Sequence, residues 1–310
     1  MRSLGGTWQA FGHVYNRLFR HDVWNVGIVD APIATFLTLG ARPLVHWLPE
    51  PPRGTFIADP FMVETETGPV ILVEGFVYGT GKGYIAALTG DADGQFSAPV
   101  PVIEEPTHLS YPYIVRHGGR IYCIPETGTA RDVHLYEATA FPHRWERRAT
   151  LIEGFAALDA TVFRHGGQWW LLCSEQDGTP GTTLHAWHAA DLLGPWTPHA
   201  ANPIKTDLRS SRPAGTPFVH DGHLYRPAQD CTRTYGGAVV INRVITLTPE
   251  AFAEETVARV EPYADGPYHH GLHTLAACGQ RTVIDGKCRR FVPDEARRFF
   301  RRAVTALRWR

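Results

Sequence analysis

Three stretches of the chain repeat one arrangement of apolar and polar positions: ADPFMVETETGPVILVEG from Ala58, SYPYIVRHGGRIYCIPETG from Ser110 and LDATVFRHGGQWWLLCSEQDG from Leu158. Each reads as an apolar strand, a turn containing glycine and a second apolar strand that ends in glutamate, which is the pattern of a β-hairpin. Asp59-Pro60 falls on Tyr111-Pro112 at an offset of 52 residues, and the same offset carries Glu74 onto Glu126. The turn His117-Gly118-Gly119 recurs 48 residues on at His165-Gly166-Gly167, which sets Asp159 opposite Tyr111 and Asp59. A weaker fourth copy begins at Arg212, with Gln229 in the place of Glu126, and HHGLHTLAACGQRTVIDG from His269 is a candidate fifth.

A unit of about 50 residues that holds four short strands cannot bury its faces alone, but it can when such units pack radially. The repeats therefore predict an all-β fold, a five-bladed β-propeller over residues 50–290. Between the hairpins, GKGYIAALTG, VHLYEAT and TTLHAWHAA alternate in polarity and read as outer, solvent-facing strands. Residues 1–49, set off by Pro49, Pro51, Pro52 and Gly54, form an N-terminal extension that caps the ring or completes a blade. Apolar residues at 296, 299, 300, 303, 304 and 307 have helical spacing, so a short amphipathic helix is expected over 291–310, with Pro293 and Asp294 in its first turn.

Composition narrows the function classes. Thirty basic and 31 acidic side chains leave a formal charge of -1, which gives no general attraction to nucleic acid or an anionic surface. The last 30 residues differ, with ten Lys/Arg against three Asp/Glu. Docking of the C-terminal helix onto the propeller and a weak membrane-surface or protein-partner contact are both open readings of that basic stripe. Five scattered cysteines form neither a CxxC pair nor a dense disulfide framework, so free thiols and a cytoplasmic location are expected. YGTGKGY lacks the strand-turn-helix setting of a phosphate loop, there is no G-x-S-x-G, and no basic-aromatic platform suggests nucleic-acid binding.

Strands nearest a propeller axis converge, so equivalent positions in different blades become neighbours. Asp59 and Asp159 are candidates to share a central pocket, and Glu74, Glu126 and Glu175, each closing a second strand, are candidates for its rim. Paired carboxylates serve glycosidic chemistry, where one protonates the leaving oxygen and the other activates water or attacks carbon. Each also has a structural reading, as an acceptor of backbone hydrogen bonds or a solvated strand end. Arg212 can hold a carboxylate, a phosphate or sugar hydroxyls, or can pair with one of the same aspartates. His108, His273 and Tyr111 are further candidates for substrate contact. HHGLH is not a zinc-binding HExxH, and no metal or cofactor is expected.

FIADPF at 56–61, HLSYPYI at 108–114, YCIPETG at 122–128, LYEATAFPHRW at 135–145 and LDATVF at 158–163 resemble the N-terminal domain family of plant glucosamine inositolphosphorylceramide transferases. More distantly, the blade pattern is similar to that of five-bladed family 43 glycoside hydrolases. ADP at 58–60 resembles their first-blade catalytic-base motif, and DLLGPWTPHAANPI at 191–204 resembles the connection after their third blade. The resemblance implies that Asp59 acts as base or nucleophile. It also marks two departures: Ser110 or Tyr111 stands where those enzymes have a second-blade aspartate, and Asp159 where they have a third-blade glutamate. Asp159, Glu126 or Glu175 is then left to serve as acid. His273 in GLHTL resembles a fifth-blade histidine that lies near an axial calcium-water site in some of these hydrolases. Two functions follow as expectations: glycosyl cleavage or transfer by paired carboxylates, and non-catalytic recognition of a glycan or glycolipid that assists a glycosyltransferase partner.

Overall fold

The structure, a computed structural model, describes residues 20–91 and 93–291. Its strands form five antiparallel sheets in sequence order around an axis. The first holds Thr55–Thr65, Gly68–Val77, Lys82–Thr89 and Val100–Ile103, and the second holds Ser110–His117, Arg120–Glu126, Val133–Ala140 and Arg144–Ile152. The third holds Ala157–His165, Gln168–Glu175, Thr183–Ala189 and Thr197–Pro198, with Lys205–Thr206 added to Thr183–Ala189. Phe218–His220, His223–Asp230, Ala238–Leu247 and Phe252–Val260 make the fourth.

The fifth sheet joins the two ends of the described chain. Leu275–Cys278 and Arg281–Phe291 are followed by Arg20–Val29 and then Val45–Trp47. Arg20–Val29 pairs with Arg281–Phe291 along ten residues, from Arg20 opposite Phe291 to Val29 opposite Thr282. Closure of this kind ties the two ends of the described chain together within one blade.

Neighbouring blades press their faces together, which explains why the third strands differ from the sequence expectation. Lys82–Thr89, Val133–Ala140 and Thr183–Ala189 are not outermost and largely not solvent-facing, because Ile85, Ala86, Leu135 and Leu184 are buried between blades. The outer position falls to a fourth strand, of which Arg144–Ile152, sequence RWERRATLI, is the most polar. The main core runs from Val26 and Ile57 through Ile71, Ile124, Leu135 and Val162 to Leu171 and Val283, so apolar contact continues from blade to blade.

No α-helix occurs among the described residues, and none of their segments is a helix long and apolar enough to cross a membrane. Of the span expected to form the C-terminal helix, Phe291 ends a strand, and residues 292–310 lie outside the described residues.

Candidate active site

The first strand of each of the first three blades carries the same irregularity. Strand register shifts between Ala58 and Phe61, between Ser110 and Tyr113, and between Leu158 and Thr161. At each shift one non-glycine residue takes a left-handed conformation: Asp59 at φ 51°, Tyr111 at 44° and Asp159 at 54°. A bulge of this kind removes a residue from the ladder and re-aims its side chain and N–H, here toward the axis. All three residues are buried.

Tyr111 crosses the axis. Its hydroxyl lies 2.9 Å from Thr161 Oγ1 of the third blade and accepts a 2.8 Å bond from the Gly215 N–H of the fourth. Gly215 is required there, because at φ 122° a Cβ would stand 2.1 Å from the Leu275 carbonyl oxygen. Burial pushes the phenol well above its usual range, so Tyr111 remains a neutral strut.

Asp159 is held from the fourth blade. Arg212 grips it with two bonds, Nε to Oδ2 at 2.5 Å and Nη2 to Oδ1 at 3.2 Å, and Gln229 Nε2 donates to Oδ2 at 2.8 Å. A bidentate guanidinium fixes both distance and plane. Glu126 lies on the other side, with its Oε2 accepting from the Asp159 N–H at 3.1 Å and standing 3.5 Å from Arg212 Nη2. Burial, then the charge of Asp159, push the Glu126 carboxyl well above the ordinary range despite Arg212, and its hydrogen bond to the Asp159 side chain adds to the effect. Burial and the neighbouring charge thus bias Glu126 toward its protonated form.

Asp59 belongs to a second cluster. Its Oδ2 accepts from the Tyr111 N–H at 3.2 Å and its Oδ1 from the Thr274 hydroxyl at 2.9 Å. Asp285 accepts from the N–H groups of Asp59, His273 and Thr274, and its Oδ2 lies 2.5 Å from His273 Nδ1. Burial works against a charged His273 ring, but Asp285 and Asp59 outweigh it and raise its pKa. The Trp24 indole stacks on that ring at 3.9 Å and 11°. Burial pushes Asp59 up to about 6, lowered in part by His273 and raised by Asp159 and Asp285.

Glu74 approaches from the second strand of the first blade. His108 Nδ1 accepts from the Gly83 N–H at 2.9 Å, which leaves Nε2 to face Glu74 Oε1 at 3.5 Å. Gly83 permits this approach, since a Cβ there would lie 2.6 Å from Glu74 Oε1 and 2.5 Å from the Leu109 oxygen. Burial, then the charges of Asp59, Glu126 and Asp159, push Glu74 well above its usual range. Burial also lowers His108, so both groups are biased toward their neutral forms.

The structure thus brings Asp59, Glu74, Tyr111, Glu126, Asp159, Arg212 and His273 together, with His108 at the edge. Glu175 is not among them. Glu74 opposes Ala58 and Glu126 opposes Ser110, but Leu158 is opposed by Ser174 and Glu175 falls one step further on. Strand alternation turns Glu175 away, to a 3.5 Å contact with His185. Sequence reasoning passed over Asp285, which lies within the second strand of the fifth hairpin as Glu74 lies within that of the first. Thr274, Thr161 and Trp24 carried no signal of their own. Among the described residues, Asp59, His273 and Asp285 are the set whose ligand-type atoms gather within 4.8 Å. Their atoms are already matched as hydrogen-bond donor and acceptors.

A five-bladed propeller with carboxylates crowded at its axis has the fold of a glycoside hydrolase of this class. A family 117 glycoside hydrolase of Zobellia galactanivorans superposes with a TM-score of 0.53 at 14% identity, over 76% of this chain and 85% of that one. An exo-beta-1,3-galactanase from Clostridium thermocellum gives 0.53 at 15% identity, over 72% and 57%. Sequence defines the family more closely: residues 48–265 match the family described as glucosamine inositolphosphorylceramide transferase 1, N-terminal, and the chain belongs to it. The transferase 1 of Oryza sativa subsp. japonica is 32% identical over 246 residues, covering 74% of this chain and 33% of the rice protein. That of Arabidopsis thaliana is 31% identical over 208 residues, covering 65% and 27%. The chain therefore spans a third or less of the plant proteins' length.

Proposed function

We propose that the axial cluster binds a glycoconjugate and cleaves or transfers its glycosyl group by paired-carboxylate chemistry. Glu126 supplies the proton to the departing oxygen. Asp59 accepts a proton from the attacking hydroxyl or attacks the sugar carbon itself. Asp159, with both oxygens engaged by Arg212 and Gln229, orients the guanidinium and holds the Glu126 proton in place. The feature that supports this reading most is the placement of Glu126 and Asp59 in one axial cluster, where Glu126 is pushed well above the ordinary carboxyl range and Asp59 up to about 6. An acid and a base within one cluster are what glycosidic chemistry needs at neutral pH.

A second reading, recognition of a glycan or glycolipid without chemistry, has a specific observation in its favour. Asp59 and Asp159 are only 4% and 2% exposed, and Tyr111 fills the axis between them. Release of 4-nitrophenol from a panel of 4-nitrophenyl glycosides, run beside a glycan array, separates the two. Turnover that is lost in Glu126→Gln and Asp59→Asn supports the enzyme. Array binding without turnover, retained in both variants, supports recognition, and neither signal from the folded protein defeats both readings.

The proposal extends to partners and place: a glycosyltransferase working beside this domain in the cytoplasm, and a weak membrane-surface contact through the basic residues after Phe291. Anionic and neutral vesicles test the last. Retention of the full chain on anionic vesicles alone, lost when the chain ends at Phe291, is the expected result.

A further inference from the structure

A second pocket lies between the fourth and fifth blades, about 340 Å³ in volume and lined by Arg42, Arg233, Arg259, His269 and His270. Two carboxylates, Asp230 and Glu261, also reach it, and both are taken by Arg259, whose Nε lies 2.6 Å from Glu261 and whose Nη1 bonds Asp230. Asp230 is further satisfied by the N–H and hydroxyl of Thr232. No such partner meets Arg42 or Arg233 among the described residues, so the pocket keeps an excess of positive charge. His270 Nδ1 is shielded from solvent and makes no hydrogen bond. Burial, then His269, Arg289 and Lys287, hold that ring toward its neutral form, although Asp22 acts the other way.

We propose that this pocket is a binding site for a phosphate ester. The two guanidinium forks left over, Arg42 and Arg233, suit a group with multiple charged oxygens better than a single carboxylate, because each fork donates two directed bonds. The volume is at the low end of small-molecule sites, roughly 300–1,000 Å³, and leaves room for more than a bare ion. The segment after Asp230 joins this pocket to the axial cluster. Arg233, Thr234 and Gly237 line the pocket, while Tyr235 between them sits 5.1 Å from the Arg212 guanidinium and edge-on to His273 at 5.3 Å. A Cβ on Gly236 would lie 2.7 Å from Trp24 and 2.9 Å from the His273 Cβ, so the segment packs tightly against the carboxylate side. A phosphate held on one side of it therefore neighbours the axial groups on the other. The phosphate site stands on its own side chains and does not depend on the carbohydrate reading.

Isothermal titration calorimetry on the full chain at low ionic strength tests it, with three probes: inorganic phosphate, glycerol 1-phosphate, and phosphatidylcholine vesicles with and without phosphatidylinositol. Saturable binding of at least one probe is expected, weakened about tenfold by Arg233→Ala and again by Arg42→Ala, since a hydrogen bond to a charged group is worth about one decade or more. Preference for glycerol 1-phosphate assigns a soluble ester, and preference for phosphatidylinositol vesicles assigns a lipid headgroup. Asp59→Asn and Glu126→Gln should bind the probe as the parent does, so loss of the catalytic reading leaves this one intact. Absence of saturable binding by all three probes, or parental affinity in the folded double variant Arg42→Ala/Arg233→Ala, overturns the proposal.

Discussion

Asp59→Asn should make the protein more stable at pH 8 and change its stability little at pH 4. Its carboxyl is fully buried, and its pKa rises from 3.8 to about 6. A raised carboxylate binds more protons in the folded state than in the unfolded one between those values, so stability falls as pH climbs through that window. Below pH 3.8 the penalty is absent, and above pH 6 it is complete. About 2 pKa units at 1.36 kcal/mol each give a penalty of roughly 3 kcal/mol. Asparagine keeps the local bonds, since its oxygen can accept from the Tyr111 N–H and its amide can donate to the Thr274 hydroxyl, but it carries no charge.

Thermal unfolding followed by circular dichroism at pH 4, 6 and 8 gives the comparison. At roughly 2–4 °C per kcal/mol for a domain of this size, the variant should melt about 5–10 °C above the parent at pH 8. Removing the Asp59 charge also relieves Glu74 and Glu126, whose carboxyls it pushes up, so the difference reports Asp59 together with its effect on these neighbours. A difference that does not change with pH, or one that favours the parent as pH rises, refutes the assignment of Asp59 as a carboxylate ionised at a cost to the fold. Such a cost is expected where a charge is kept for chemistry.

Arg212→Met leaves the buried Asp159 without its counterion and should cost about 3–5 kcal/mol, read as a lower denaturant midpoint with unchanged slope. Tyr111→Phe strands the Gly215 N–H, and a loss of about 1–3 kcal/mol in the same measurement is expected. His273 should titrate above its ordinary 6.5 in a histidine NMR pH series, because Asp285 and Asp59 outweigh its burial. Its contribution to stability is then complete below pH 6.5 and lost as pH rises through the folded value. A His273 resonance already neutral at pH 6.5 contradicts the Asp285 pairing.

The propeller could be read from the sequence because hairpin period, turn glycines and apolar alternation all reported the same unit, from Asp59 to Tyr111 to Asp159. The fourth and fifth blades were fainter for physical reasons. The fourth has a first strand of only three residues, Phe218–His220, and the fifth borrows Arg20–Val29 from the other end of the chain. Most of the axial cluster was legible for the same reason as the blades, since equivalent positions converge. Glu175 shows the limit: counting from Gly118 to Gly166 carries Glu126 onto Ser174, and an error of one residue along a strand exchanges its faces. Asp285 was legible by the same count in the fifth hairpin, but TVIDGK has no glutamate to mark it. Arg212 with Asp159 was one of two open pairings from sequence, and only the fourth blade's placement beside the third selects it.

The bulges connect structure to chemistry at the axis. The Asp59 N–H of the first blade donates to Asp285 of the fifth, the Tyr111 N–H of the second to Asp59 of the first, and the Asp159 N–H of the third to Glu126 of the second. Each carboxylate thus satisfies the N–H that a bulge in the next blade has taken out of its ladder, and a left-handed non-glycine residue costs about 1–3 kcal/mol to hold. Three of the crowded acids are therefore needed to join blades, whatever else they do. That role is met equally by a neutral acceptor, because a protonated carboxyl or an amide still offers a carbonyl oxygen. The blade-joining bonds account for the positions of Asp59, Glu126 and Asp285 but not for the charge on Asp59, which is the part that a catalytic base requires.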